Sequence, residues 1–252
     1  MKHKHVMLSL LMFIVVLLGA AGDVSAQSLN LDFGGAVGEA GSSTARMIQI
    51  ILLMSVLSIA PGILVMVTSF TRIIVVLAFL RTALGTQQTP PNQVLIALAL
   101  FVTSFIMAPV FQEAYDNGLL PLINEEISEE EAIQAAADPF HRFMMTHVRD
   151  KDLELFMNMF PDELEVDTPA DTPYRVLIPA FMIGELKRAF EIGFLIFIPF
   201  LIIDMLIASV LMAMGMMMLP PVVISLPFKL IFFVLVDGWY MVIGSLVKSY
   251  GL

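Results

Sequence analysis

An all-α, membrane-associated chain is the fold the sequence predicts: helical hairpins with kinked helices on either side of a small helical extracytoplasmic insert. Three observations lead there. Of 252 residues, 58% are hydrophobic and 14% charged, against roughly 45–50% and about 25% in soluble domains. The acids are crowded, since residues 113–191 hold 18 of the 23 Asp and Glu but 6 of the 13 Lys and Arg. The flanking blocks are apolar, nearly neutral and interrupted by proline.

Taken in order, the N-terminus reads as a secretory signal. Lys2 and Lys4 precede an apolar core, Val6–Ala21, and Val24-Ser25-Ala26 puts small residues before a cleavage point. Residues 1–26 are therefore expected to be a cleavable signal peptide; the alternative is an uncleaved first membrane helix. Residues 27–45, rich in Gly, Ser and Ala, read as a flexible mature N-terminus.

Residues 46–112 read as the first hydrophobic hairpin. No charge falls between Arg46 and Arg72. Met47–Phe70 is thus long enough to cross a hydrocarbon core of about 30 Å, with a kink expected at Pro61-Gly62. A turn carrying Arg72 and Arg81 and the polar run Gly85–Gln93 then lead into a returning helix, Val94–Phe111. That turn contains no acid, so the positive-inside rule puts it in the cytoplasm and the acidic insert, residues 113–191, on the periplasmic side. Lys187 and Arg188 fall on the wrong side, with Glu185 and Glu191 near enough to offset them.

Within the insert, Ser128-x-x-Glu131 has the form of a capping box that opens a helix. Phe140, Phe143, Met144, His147 and Val148 recur at helical spacing and give one amphipathic face. Residues 161–173 are acidic and proline-rich, hence a loop, and Tyr174–Phe190 is helical again. Residues 192–252 form the second hairpin: Ile192–Ile203, Asp204, Met205–Leu219, the turn Pro220-Pro221, and a return over Val222–Val247. Each hairpin carries a Pro-Pro pair at its tip, the outline of a weak parallel repeat.

Much chemistry is excluded. With no cysteine there is no disulfide, thiolate metal site or cysteine nucleophile. A net charge of −10 argues against nucleic acid. Neither G-x-x-x-x-G-K-[ST] nor H-E-x-x-H is present. His141 and His147 are six apart, which does not place them on one helical face, and Glu129-Glu130-Glu131 reads as a solvated helix start. No enzyme, cofactor or metal centre is expected.

Three charges stand inside the second hairpin. Asp204, Lys229 and Asp237 each cost about 2.5–3.5 kcal/mol at the centre of a bilayer, so they should face protein or water and be paired. Measured from the Pro-Pro tip, Asp204 and Lys229 are out of step by about eight residues, roughly 12 Å. A pair within the hairpin is therefore not favoured over one between neighbouring subunits. Such charges serve either as a structural ion pair that fixes assembly or as an ion relay. Prolines at 61, 109, 199, 220, 221 and 227 release backbone carbonyls that lipid cannot satisfy, so the helices should pack in an assembly. Met212, Met214, Met216, Met217 and Met218 surround Gly215 just before Pro220-Pro221. Thioether chains are soft and apolar; a ring of them closes a hole by dewetting yet deforms around a passing chain. The competing reading is a flexible helix-packing loop.

Several runs resemble the FliP family of the flagellar type III secretion export gate. They are Thr68-Ser69-Phe70-Thr71-Arg72-Ile73-Ile74-Val75-Val76-Leu77, Leu84-Gly85-Thr86-Gln87-Gln88-Thr89-Pro90-Pro91-Asn92-Gln93, Phe190-Glu191-Ile192-Gly193-Phe194, Met214-Gly215-Met216-Met217-Met218-Leu219-Pro220-Pro221 and Val236-Asp237-Gly238-Trp239. The resemblance covers residues 46–247 and favours the flagellar over the virulence-secretion branch. It implies a homo-oligomer of five copies, assembled helically with FliQ and FliR, aided by FliO, with FlhB and FlhA nearby. It also implies a channel for unfolded flagellar subunits, with the five methionines as its gasket and Asp204 and Lys229 as an intramembrane acid and base. By the same resemblance, much of the apolar surface packs on other subunits, above the plane of the inner membrane. An ion or small-solute transporter is the alternative; it requires convergent polar groups at the midplane.

Overall fold

The computed structural model describes residues 43–86, 88–159, 171–216 and 218–251. The expected signal peptide, residues 27–42, Met217 and nearly all of the expected loop over 161–173 lie outside the described residues. Among the described residues the chain is helical throughout, with no strand. The helices are α1 (Ser43–Val67), α2 (Phe70–Leu84), α3 (Asn92–Ala114), a π-helical turn (Tyr115–Leu119), α4 (Leu120–Ile123), α5 (Glu129–His147), α6 (Asp150–Met157), α7 (Tyr174–Ala213), α8 (Pro221–Leu235) and α9 (Gly238–Lys248). They fall into two units, residues 1–53 and 54–252. Of the first, the start of α1 is described, and it exposes Met47, Ile48, Ile50, Ile51 and Leu52.

The second unit is organised around α2. Eight consecutive apolar residues, Ile73–Leu80, separate its two arginines, and left-handed Gly85 (φ 77°) stops the helix. Its β-branched residues are poor helix formers, but burial overrides propensity. Ile73, Val76 and Leu77 pack on Leu95, Ala99, Val102 and Ile106 of α3, on Ala189 of α7 and on Leu246 of α9. Leu80, Ala83 and Leu84 pack on Phe200 of α7 and Phe233 of α8. The expectation of a turn carrying Arg72 and Arg81 is corrected here: both arginines are in a central helix, and the turn begins only at Gly85. The cause is the apolar run between them, which must be buried on every side.

Helix α7 is 40 residues long and runs without a break through residues 191 and 192, where insert and second hairpin were expected to meet. Its first half packs with the insert: Leu177 and Phe181 meet Met144 of α5 and Val67 of α1, with Phe140, Phe143 and Val148 around them. The amphipathic face read from the sequence is the one that docks. The capping box also forms, with Ser128 Oγ accepting from the Glu131 backbone and the Glu131 carboxylate accepting from the Ser128 N–H at 2.9 Å. Among the described residues three helices are long and apolar enough to cross a membrane, or four if α8 and α9, bent by 61°, count as one broken span.

Candidate functional site

The methionine loop is built on a defined helix stop. At the end of α7, the Gly215 N–H donates to Met212 O (3.0 Å) and the Met216 N–H to Leu211 O (2.9 Å). With Gly215 at φ +75° this is a Schellman motif, which requires a residue without a Cβ penalty at the left-handed position. Pro220 caps α8 and Pro221 enters its first turn, where a missing N–H costs no hydrogen bond. The loop therefore leaves its side chains free. Met212, Met214, Met216 and Met218 are exposed, Met218 almost completely at 98%; Met217 lies outside the described residues.

A related turn closes the first tip. Gly85 is left-handed, its N–H bonds to Thr82 O (3.0 Å), and Pro91 caps α3. Four residues lie between Gly85 and Pro90, as four lie between Gly215 and Pro220. The intervening side chains differ in kind: Thr86-Gln87-Gln88-Thr89 in one, Met216-Met217-Met218-Leu219 in the other. Arg81 supports the first tip, donating to Asn92 Oδ1 (2.5 Å) and Pro90 O (3.3 Å).

Behind the methionine loop lies an ion pair. Lys229 Nζ reaches Asp204 Oδ2 at 2.6 Å and Ala83 O at 3.3 Å, while the Ser225 hydroxyl donates to Asp204 Oδ1. Ser225 and Lys229 are one helical turn apart on α8, so both face α7. The pair is formed within one chain, which corrects the expectation that it is not favoured there. Helix α7 ends at Ala213, nine residues after Asp204, and α8 begins at Pro221, eight before Lys229. Loop residues 214–220 had been counted as helix, which produced the apparent mismatch. The Lys229 ammonium also meets the Ala83 carbonyl in the last turn of α2, where the helix dipole is negative. It therefore joins α2, α7 and α8. Asp237, by contrast, is exposed in the bend between α8 and α9, in left-handed backbone (φ 50°, ψ 54°), and among the described residues its side chain has no hydrogen-bond or ion-pair partner.

A second buried polar cluster was not expected. Arg72, 1% exposed, donates through Nε to Glu185 Oε2 (2.8 Å) and pairs through Nη2 with Glu185 Oε1. Its Nη1 donates to Ser249 Oγ (2.8 Å), and its guanidinium lies 3.9 Å over the Tyr250 ring. The Tyr250 hydroxyl donates to Glu185. Burial, then the Glu185 carboxylate, pushes that phenol well above its ordinary range. Of the two acids expected to offset Lys187 and Arg188, Glu191 does pair with Lys187 (3.5 Å), but Glu185 belongs to Arg72. Arg72, the first charge after the uncharged run 47–71, was the available signal that a buried acid must lie elsewhere in the chain. His147 donates through Nδ1 to Phe143 O (2.8 Å) and packs against the Tyr250 ring. His141 bonds Thr172 O at 2.8 Å. Among the described residues no three His, Asp or Glu are grouped to hold a metal.

Comparison with known proteins gives a consistent family. The model of the FliP family matches residues 53–246. A flagellar biosynthetic protein FliP of Caulobacter vibrioides is 53% identical over 247 residues, 98% of this chain and 91% of its own length. The protein of that name from Bacillus subtilis is 57% identical over 206 residues, 81% of this chain and 91% of its own. The one from Rhizobium meliloti is 47% identical over 247 residues and is covered along its whole length.

Proposed function

The chain belongs to the FliP family of flagellar biosynthetic proteins, and we propose that it is a structural subunit of the flagellar protein export gate, without catalytic activity. Several copies surround a polypeptide channel in the bacterial inner membrane, with the insert on the periplasmic side and FliQ, FliR, FliO, FlhB and FlhA as its neighbours. Met212, Met214, Met216, Met217 and Met218 supply a deformable seal.

The observation that carries this reading is the contrast between the two tips. One chain runs from a left-handed glycine to a Pro-Pro pair twice, once with polar side chains between and once with methionine. Turn-making therefore does not explain the methionines. Exposure of Met218 at 98% removes helix packing within the chain as their reason. What remains is a flexible apolar surface offered outward, suited to exclude water and yield to a passing chain. The transporter alternative needs convergent polar groups free to bind, and Asp204, Lys229 and Ser225 are occupied by one another.

Replacing Met216, Met217 and Met218 with Ala tests the reading. Assembly should persist while ion conductance of the reconstituted complex rises severalfold; conductance equal to that of the unaltered complex would reject the seal. Replacing Thr86–Thr89 with Ala should leave conductance unchanged.

A further inference from the structure

One titratable side chain stands against the Arg72–Glu185–Tyr250 cluster without belonging to it: His147, the last residue of α5. Its half-buried ring packs on Phe143 at 4.6 Å and on Tyr250 at 5.1 Å, and Phe143 in turn stacks on Tyr250 at 5.9 Å. These contacts tie the end of the insert helix to the C-terminal residues. Nδ1 carries a proton, because it bonds the Phe143 carbonyl at 2.8 Å and a carbonyl only accepts. In the neutral ring Nε2 is therefore bare, and among the described residues no hydrogen bond reaches it.

A second proton on this ring is poorly received. The charges that act on it are Arg72 from α2 and Glu185 and Arg188 from α7. The one acid among them is already bonded by the Arg72 guanidinium and the Tyr250 hydroxyl. Arg149 and Asp152, which lie over Gly184 of α7, pair with each other. On α5 itself the helix end and the Phe143 carbonyl favour a cation. Burial outweighs both and holds the imidazole below its ordinary 6.5. A charged ring thus stands beside two guanidiniums with a new N–H that meets no acceptor, and turning out into water relieves it.

We propose that His147 is a proton-operated clasp: uncharged, it holds Tyr250 against α5; charged, it leaves, and the tail from Ser249 onward frays and uncovers the Arg72–Glu185 pair. Because the closed ring is the harder one to protonate, the clasp is shut above pH 6.5 and opens as pH falls below that value. The device is separate from the methionine loop and requires neither the channel nor its orientation.

Hydrogen exchange of the full chain purified in detergent tests it, at about pH 7.5 and about pH 5.5, either side of the histidine range, with rates corrected for the intrinsic pH dependence of amide exchange. The amides of Ser249, Tyr250 and Gly251 report directly, since they donate to the Ser245, Val247 and Lys248 carbonyls. Their exchange should quicken on acidification by up to about tenfold per pH unit, the limit for one proton, while the amides of Ile73–Leu80 stay protected. In His147→Gln and in His147→Leu, neither of which titrates, this acid response should vanish, whatever the level of protection. No acid response in the unaltered chain, or the same response in both variants, would overturn the proposal. Equal quickening along α2 would overturn it as well, because acid would then be unfolding the whole unit instead of opening one contact.

Discussion

At the scale of single residues, two ion pairs hold the second unit together, and they differ in depth. Asp204 keeps a third of its side chain exposed while Lys229 is nearly buried. Asp204→Ala leaves Lys229 uncompensated and should cost about 2–3 kcal/mol, at or below the low end for a fully buried pair; thermal unfolding in detergent measures it, and an unchanged melting point refutes it. Arg72 and Glu185 are both fully enclosed. Arg72→Met or Glu185→Leu alone should each cost about 3–5 kcal/mol, and the double replacement less than either, because no charge is then stranded. Titration adds a pH window. Burial lowers the His147 imidazole below its ordinary 6.5, so its contribution is present above that value and drains as pH falls further. Tyr250 is raised above its ordinary 10, so its contribution is present below pH 10 and is lost as pH rises beyond. Melting temperature should therefore plateau between about pH 6.5 and 10. His147→Gln should flatten the acid limb and Tyr250→Phe the alkaline one.

At the scale of elements, sequence patterns gave α5 with its cap and buried face, both tips, and the return over residues 222–247, though not its break at Asp237. They failed at α2 for a physical reason. Arg72 and Arg81 looked solvated because cations are expensive in lipid, yet Arg72 is satisfied by Glu185, distant in sequence, and no local pattern encodes that partner. The eight apolar residues between the arginines were the better guide. A similar limit hid the Asp204–Lys229 register, since the end of α7 depends on Gly215 and not on Pro220. Two glycines test element packing. A Cβ at Gly118 would meet the backbone of Ala132 and Ala136 at 2.9 and 2.8 Å, contacts that side-chain motion does not relieve. Gly118→Ala should loosen α5 from the π-helical turn, seen as faster proteolysis within 129–147; an unchanged cleavage rate would mean the contact is dispensable. Gly215→Ala should cost about 1–2 kcal/mol through its left-handed backbone alone, with no new clash, since its Cβ site is open.

At the scale of the whole chain, the membrane character was legible from composition, and prolines within α1, α3, α7 and α8 signalled helices that need neighbours. Large hydrophobic side chains stay exposed along the outer faces of α1, α7 and α8, the surface expected of a part and not of a whole. The detergent-extracted particle should accordingly weigh several times the 27.8 kDa of one chain; light scattering that returns a single chain's mass would contradict this. What composition could not convey is that α7 alone spans from the insert to the methionine loop. A helix of 40 residues is about 60 Å long, and here it runs continuously through Pro179 and Pro199. Such a rod behaves as a lever. A tug delivered to its insert end arrives at the sulfur-bearing end as displacement, so mechanical work done on the insert is felt at the methionine loop.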